Sequence, residues 1–346
     1  MDLTIFLFLL QDGIINGAVY ALVALALVLV FSVTRVILIP QGEFVAFAAL
    51  SVAALEHGRL PGTVWLLVAL GLLAAVSELI QYRREITAGR LARIAGLDLA
   101  LPAGLAVATA WLAPLRLGPL AASALTVLLI LPMGPMLYRI AFDPIAKSSV
   151  LVLLIAAFGV HFSLMGLGLV FFGPEGVGTT ALSSQAFTLG SLVVTGQSLV
   201  VVAATAVLLV VFAAFFEWSL FGKALRACAS NRVGARLSGI PTALAGQMTF
   251  AIAAGLGAIS GVLIGPLMTV YYDSGFLIGL KGFVAAILGG LASYPLAVLA
   301  ALVVGFSEAL FSFWASAYKE VLIFSLIVPV LMWRSLSAAS TSGHGS

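Results

Sequence analysis

"GKALRACASNRVGARLSGIP", residues 222–241, carries Lys223, Arg226, Arg232 and Arg236, four of the chain's sixteen basic residues, and no carboxylate. It interrupts a chain of 346 residues that is 63% hydrophobic and 8% charged. A soluble domain carries about 25% charged residues, so charge this sparse cannot coat a water-facing surface. Apolar runs long enough to cross about 30 Å of hydrocarbon recur from end to end. The composition predicts an all-α, polytopic membrane helical bundle, and residues 222–241 are its most conspicuous polar break.

At 100° per residue, a single helix over residues 223–238 aligns Leu225, Ala229, Val233 and Leu237 in an apolar band. Arg226, Arg232 and Arg236 fall along its edges. Ala227, Asn231, Gly234 and Ser238 make the opposite side small and polar. A helix made to lie on lipid separates the two classes more cleanly. This mixture suits a short helix wedged against another protein, its flat side resting on its own membrane domain. Gly239 can end it, and Pro241 can begin the next span. The same residues also fit a basic cytoplasmic loop that only sets orientation.

Eleven candidate spans follow from the apolar runs: about 12–34, 42–57, 62–82, 97–115, 118–140, 148–172, 197–217, 243–265, 277–293, 295–313 and 319–334. The second is too short for an upright span, which makes it tilted, broken or re-entrant. The expected count is about 9–11 transmembrane or re-entrant helices in one membrane domain, 1–335. Three basic clusters stand out: Arg83, Arg84, Arg90 and Arg93; Arg139 and Lys147; and residues 223–236. Two spans separate each from the next, so all three can face the cytoplasm. The loop 173–196 contains no Lys or Arg. Counting outward puts the N-terminus outside, and Arg334 and the C-terminus inside. "MDLTIF" has an aspartate where a signal peptide has Lys or Arg, so it reads as mature sequence. The tail 336–346 is small, polar and expected to be disordered.

Gly257, Gly261 and Gly265 form a small-xxx-small row that lets helices approach at backbone distance, and Gly275 with Gly279 makes another. Asp12, Glu56 and Glu78 lie near span ends, where a solvated or snorkelling side chain is expected. Glu43 and Glu308 lie deeper, and carboxylates at such depth need partners. Lys281 is the basic candidate within a span. It either pairs with Glu308 or Glu43, or snorkels to the interface.

No G-x-x-x-x-G-K-[ST] phosphate loop occurs, so ATP is not bound here by that means. His57, His161 and His344 have no metal-ligand spacing, and His161 reads as a hydrogen-bonded core histidine. Cys228 stands alone, which rules out an intramolecular disulfide and a cysteine zinc cluster. No nucleophile–base pairing has supporting context. An enzyme is not expected, nor is a nucleic-acid partner.

Residues 226–240 resemble the cytoplasmic coupling segment of permease subunits in the branched-chain amino acid class of ABC importers. The resemblance rests on Arg226, Ala227, Ala229, Asn231, Ala235, Gly239 and Ile240. It continues through residues 254–266 and through "GFLIGLKGFVAAILGGLASYPLAVLAALVVGFSEAL" (275–310), which carries Lys281, Phe283, Gly289, Gly290, Glu308 and Ala309. Residues 16–33, "QGEF" (41–44) and "YRIAFDPI" (138–145) are similar in order.

The resemblance implies a single permease domain with a coupling loop at 218–240, and it makes residues 83–117 read as an insertion. Lys223, Arg226, Ala227, Ala229, Asn231, Arg232, Ala235, Arg236 and Gly239 would engage an ATPase subunit. Glu43, Lys281 and Glu308 would be gating or buried polar residues. Gly257, Gly261, Gly265, Gly289 and Gly290 would pack helices. It further implies a second homologous permease, two ATPase subunits and an extracytoplasmic substrate-binding protein in a bacterial inner membrane. ATP and Mg would sit on the partner subunits, leaving no cofactor in this chain. The cargo would be a branched-chain or other apolar amino acid. Relatives also carry urea, amides and aromatic carboxylates, and Leu38, Pro40 and Gln41 depart from the family's usual I-N-F-A-H-G-E pattern. An ion-coupled secondary transporter and a membrane scaffold or enzyme are the remaining alternatives, both disfavoured by the coupling segment and the missing site chemistry.

Overall fold

A computed structural model of the chain describes residues 3–81, 87–189 and 192–332. Arg83, Arg84, Arg334, His344 and the tail 336–346 lie outside them. The helices are α1 (Leu3–Thr34), α2 (Gln41–Glu56), α3 (Thr63–Gln81), α4 (Ala88–Arg93), α5 (Leu101–Leu112), α6 (Pro119–Ile130), α7 (Met133–Leu137), α8 (Val150–Phe172), α9 (Gly196–Trp218), α10 (Leu220–Ser230), α11 (Arg232–Leu237), α12 (Thr242–Ile264), α13 (Ser274–Leu288), α14 (Tyr294–Trp314) and α15 (Lys319–Ser325). Residues 327–332 are also helical. A π-helical segment, Ile94–Ala100, joins α4 to α5, and another, Tyr138–Phe142, extends α7. The short strands β1 (Ala186–Leu189) and β2 (Leu192–Thr195) pair antiparallel, Ala186 opposite Thr195.

Eight helical runs among the described residues are long and apolar enough to cross a membrane: α1, α3, Ala88–Leu115, Pro119–Phe142, α8, α9, α12 and α14. The chain is an all-α polytopic bundle. The three remaining candidate spans are the short helices α2 and α13 and the broken pair formed by α15 and 327–332.

The bundle is built around α1 and α2. From Gly17 to Val30 every residue of α1 is buried, and from Gln41 to Ala53 every residue of α2 is buried. A helix apolar all round suits burial on all sides. Helices α9, α10, α12, α13 and α14 surround α1, while α6, α8, α12 and α13 cover α2. The sixteen residues of α2 span about 24 Å, short of the hydrocarbon thickness. The irregular segment 35–40 supplies part of the difference, for Val36, Leu38 and Pro40 are buried. Such backbone is tolerated at membrane depth when protein covers it. Its amides are partly satisfied locally: Ile39 N donates to Ile37 O, and Gln41 N to Leu38 O.

Glycines set the spacing. A Cβ on Gly42 would lie 1.8 Å from Gly275 O, and one on Gly261 would lie 2.1 Å from Val45 O. Backbones of α12 and α13 therefore press directly on α2. A Cβ on Gly305 would meet Gly13 O and Gly17 N at 2.4 Å, which locks α14 onto α1. Gly257 faces Phe44 and Gln41 of α2, but Gly265 faces Thr179 of a loop and not a helix. A Cβ on Gly289 would strike Ala297 at 2.5 Å, and Gly290 turns the chain with φ +87°.

Two ends of the bundle differ. One carries the β-hairpin, tied by a Val177–Val270 backbone bridge and by Thr180, whose N–H and hydroxyl both donate to Glu56. The other carries α10, α11 and the 143–149 turn, joined where Arg232 donates to Ala146 O.

Leucine at position 261 or 305 is expected to destabilise the protein by about 1–3 kcal/mol or more through overpacking. Gly104→Leu should not, because nothing lies within 4 Å of a Cβ there. Melting temperatures in detergent check this; equal melting of all three variants contradicts the close contacts.

Candidate functional site

The basic segment is not one helix. Asn231 takes an extended backbone (φ −148°, ψ 99°) and its Oδ1 accepts from Gly234 N at 2.9 Å. Asparagine is a preferred N-cap, and capping α11 here breaks the expected 223–238 helix in two. Gly239, at φ +83°, ends α11, and Ile240 N donates back to Ala235 O.

The break changes which residues face the bundle. Gly222, Leu225, Cys228 and Ala235 are buried against it, while Asn231 and Ser238 of the expected flat side are exposed. Arg226 points back, donating from Nη2 to Phe216 O at 2.9 Å beside Glu217. Arg232 likewise reaches Ala146 O at 3.4 Å. The outward surface holds Lys223, Arg236, Val233 and Leu237; the last two are 69% and 84% exposed. Ala227 and Ala229 are half-buried. Burial pushes the Cys228 thiol pKa up, with Arg232 drawing it partly back. Asp143, on the adjoining turn, is also raised by burial, against the opposing effects of Tyr138, Arg232 and Arg139.

Four helices meet at Lys281 on α13. Its Nζ lies 2.5 Å from Glu308 Oε1 on α14 and 3.1 Å from Glu320 Oε1 on α15. Tyr20 of α1 donates its hydroxyl to Glu308 Oε2 at 2.5 Å, and Lys319 stands 4.0 Å from Glu320. Lys281 and Glu308 are both buried, so Lys281 does not snorkel. Two ammonium groups and two carboxylates make the cluster neutral.

Glu43 does not reach Lys281. Its Oε1 is 2.7 Å from His161 Nδ1, and both side chains are almost fully buried. The His161 ring also lies against Phe276, with centroids 4.7 Å apart. His161 thus gives α8 a polar tie to α2, beside the Phe47–Phe172 ring contact.

A third polar cluster corrects the reading of Glu78 as a solvated end. Glu78 is buried and pairs with Arg93, and with Arg139 Nη1 at 3.5 Å. Arg139 grips Asp98 with both terminal nitrogens, one of them at 2.9 Å. Asp98 and Arg139 each sit on a π-helical segment. Such segments occur mostly as single-turn bulges, often where function re-aims a side chain. The sequence signal for Asp98 was a lone carboxylate in the apolar run "ARIAGLDLALP". No group of three or more potential metal ligands occurs among the described residues.

Helix α9, which leads into α10, is flanked by two cavities. A cavity of about 580 Å³ lies between it and α14 beside the Phe212–Tyr294 and Phe216–Tyr294 contacts, and one of about 290 Å³ lies between it and α12 near Ile252. Both are walled almost entirely by apolar side chains.

A family profile described as branched-chain amino acid transport system / permease component matches residues 92–331. The chain is 28% identical over 346 residues to the high-affinity branched-chain amino acid transport system permease protein LivH of Escherichia coli (strain K12), covering 94% of each chain. LivH of Salmonella typhimurium is similar to the same extent. The corresponding protein BraD of Pseudomonas aeruginosa is 30% identical over 222 residues, covering 62% of this chain and 72% of BraD. No solved structure matches.

Replacing Lys281 alone by Met should cost about 3–5 kcal/mol, because it strands buried carboxylates. Adding Glu308→Gln should return much of that loss. Thermal unfolding in detergent measures both; a double variant no more stable than Lys281→Met would refute the pairing energetics.

Proposed function

The chain belongs to the family of branched-chain amino acid transport system permease components, and from that premise we propose that it is the membrane-spanning permease subunit of an ATP-driven importer for branched-chain or other apolar amino acids. The observation that carries this reading is the α10–α11 segment, whose buried face anchors it to the bundle and whose outward face is free. The segment has no energy source of its own, so motion must come from a separate ATPase. We place it in the cytoplasm, with the hairpin end outside, in a bacterial inner membrane.

The proposed partners are two ATPase subunits, which carry ATP and Mg, a second permease and an extracytoplasmic binding protein. Closure of the ATPase pair would push on Lys223, Val233, Arg236 and Leu237. Arg226 and Arg232 would transmit the push, since each is tied to backbone of its own chain. A switch of this kind needs a rigid coupling element and a packing with two states. The apolar cavities on both sides of α9 let it shift without breaking a polar contact there. The tight α1–α2–α12–α13 core would move as one piece. Glu43, Lys281 and Glu308 serve as structural or gating residues, because each already has a protein partner. The Lys281–Glu308 ion pair weighs against ion-coupled transport, which needs groups free to bind the ion.

Val233→Glu and Arg236→Glu should each reduce uptake of labelled leucine into vesicles about tenfold or more, with membrane insertion intact. Copurification on a tag, followed by identification of bound ATPase, is the companion measurement. Full uptake in both variants would exclude this face as the coupling surface.

A further inference from the structure

We propose that the hairpin end of the bundle holds a binding site for an apolar α-amino acid as its zwitterion, between His57 and Arg59 on one side and Phe171 and Phe172 on the other. The proposal rests on the amino-acid importer reading and names a place where cargo is recognised by this chain itself.

A cavity of about 350 Å³ opens where α2 ends, α3 begins and α8 ends. Small-molecule sites run from about 300 to 1,000 Å³, mostly apolar with a few polar groups. Leu50, Phe171, Phe172 and Val177 supply the apolar wall. The wall is fixed: Phe171 packs so closely on Gly62 that a Cβ there would lie 2.4 Å from the phenylalanine Cβ. His57 and Arg59 supply the polar groups.

Arg59 is exposed and has no ion pair or side-chain hydrogen bond among the described residues. The neighbouring acid, Glu56, accepts from the N–H and hydroxyl of Thr180 and makes no ion pair with Arg59. A second guanidinium without an ion pair stands nearby: Arg116 Cγ would lie 3.2 Å from a Cβ on Gly58. Arg59 therefore presents an unpaired guanidinium at the cavity, and a carboxylate matches the flat fork of an arginine.

His57 adds the second half of the recognition. Its Nδ1 lies 2.7 Å from Ala53 O. A carbonyl only accepts, so Nδ1 carries the hydrogen and Nε2 of the neutral ring is left as an acceptor. An ammonium donates to that nitrogen. A phosphate or fatty acid would use the guanidinium and leave Nε2 idle. An α-amino acid with a branched or aromatic side chain uses all three features: the arginine fork, the imidazole acceptor and the apolar wall.

The test is equilibrium binding of radiolabelled L-leucine to the full chain in lipid nanodiscs without ATP. Competition with 4-methylpentanoate, which lacks the amine, and L-leucinol, which lacks the carboxylate, probes each contact. The expected result is saturable leucine binding, with each analogue weaker by about tenfold or more, as the loss of a charged hydrogen bond implies. Arg59→Gln, an exposed substitution whose melting temperature should be unchanged, should weaken leucine and erase its advantage over leucinol. Absence of saturable binding overturns the proposal, as does a leucine-to-leucinol ratio unaltered by Arg59→Gln. If the site fails while an ATPase still copurifies, the importer reading stands; if no ATPase copurifies and leucine still binds, the importer reading fails and the site stands.

Discussion

Sixteen residues of α-helix reach about 24 Å, and α2 sits at the centre of a bundle meant for a thicker barrier. Such a helix cannot face lipid along its length, because its ends would leave backbone groups in hydrocarbon. Its neighbours must cover it, and they do so at backbone distance. Gly42 meets Gly275 and Gly279, and Gly261 meets the Val45 carbonyl. The same demand explains why segment 35–40 is buried and why α13 can also be short. The bundle is therefore arranged around hiding α2, with α1 as the second pillar.

Polar chemistry inside the bundle follows one pattern among the described residues: each deep ionisable side chain has a polar partner beside it. Lys281 stands between Glu308 and Glu320, Glu43 meets His161, and Arg139 meets Asp98 and Glu78. An isolated buried ion costs several kcal/mol, which accounts for the pairing of Lys281 and of Arg139 with carboxylates. Each pair also bridges separate helices, which fixes how the helices rotate against one another. Apolar contacts alone fix that less well, since lipid tails are as apolar as leucine.

Much of this was legible in the residues. Apolar run length located α1, α3, α8, α9, α12 and α14, because crossing hydrocarbon imposes one length and one composition. The glycine row in α12 was visible, yet the more consequential Gly13, Gly17 and Gly305 contact was not singled out, since a row shows its partner only when both helices are placed. Lys281 with Glu308 was among the expected pairs, whereas Glu320 and Tyr20 were not, because the short break at 315–318 that turns α15 back to Lys281 leaves no periodic trace. The Asn231 break escaped a reading based on periodicity, although an asparagine three residues before Gly234 is a recognisable cap. With that cap in place, Arg226 and Arg232 donate to backbone of their own chain, while Val233 and Leu237 face outward.

The cluster around Glu78 divides into two self-neutral halves. Glu78 and Arg139 belong to α3 and to the end of the α6–α7 run, and they already touch each other. Arg93 and Asp98 both come from the Ala88–Leu115 run. That run thus brings one positive and one negative charge of its own to the junction. A chain lacking it would keep an intact glutamate–arginine couple, with no orphaned ion to repair. Electrically the run is self-contained at this junction, and its hold on α3 beyond those charges is steric, through the close approach of Gly71 to Asp98 and Pro102.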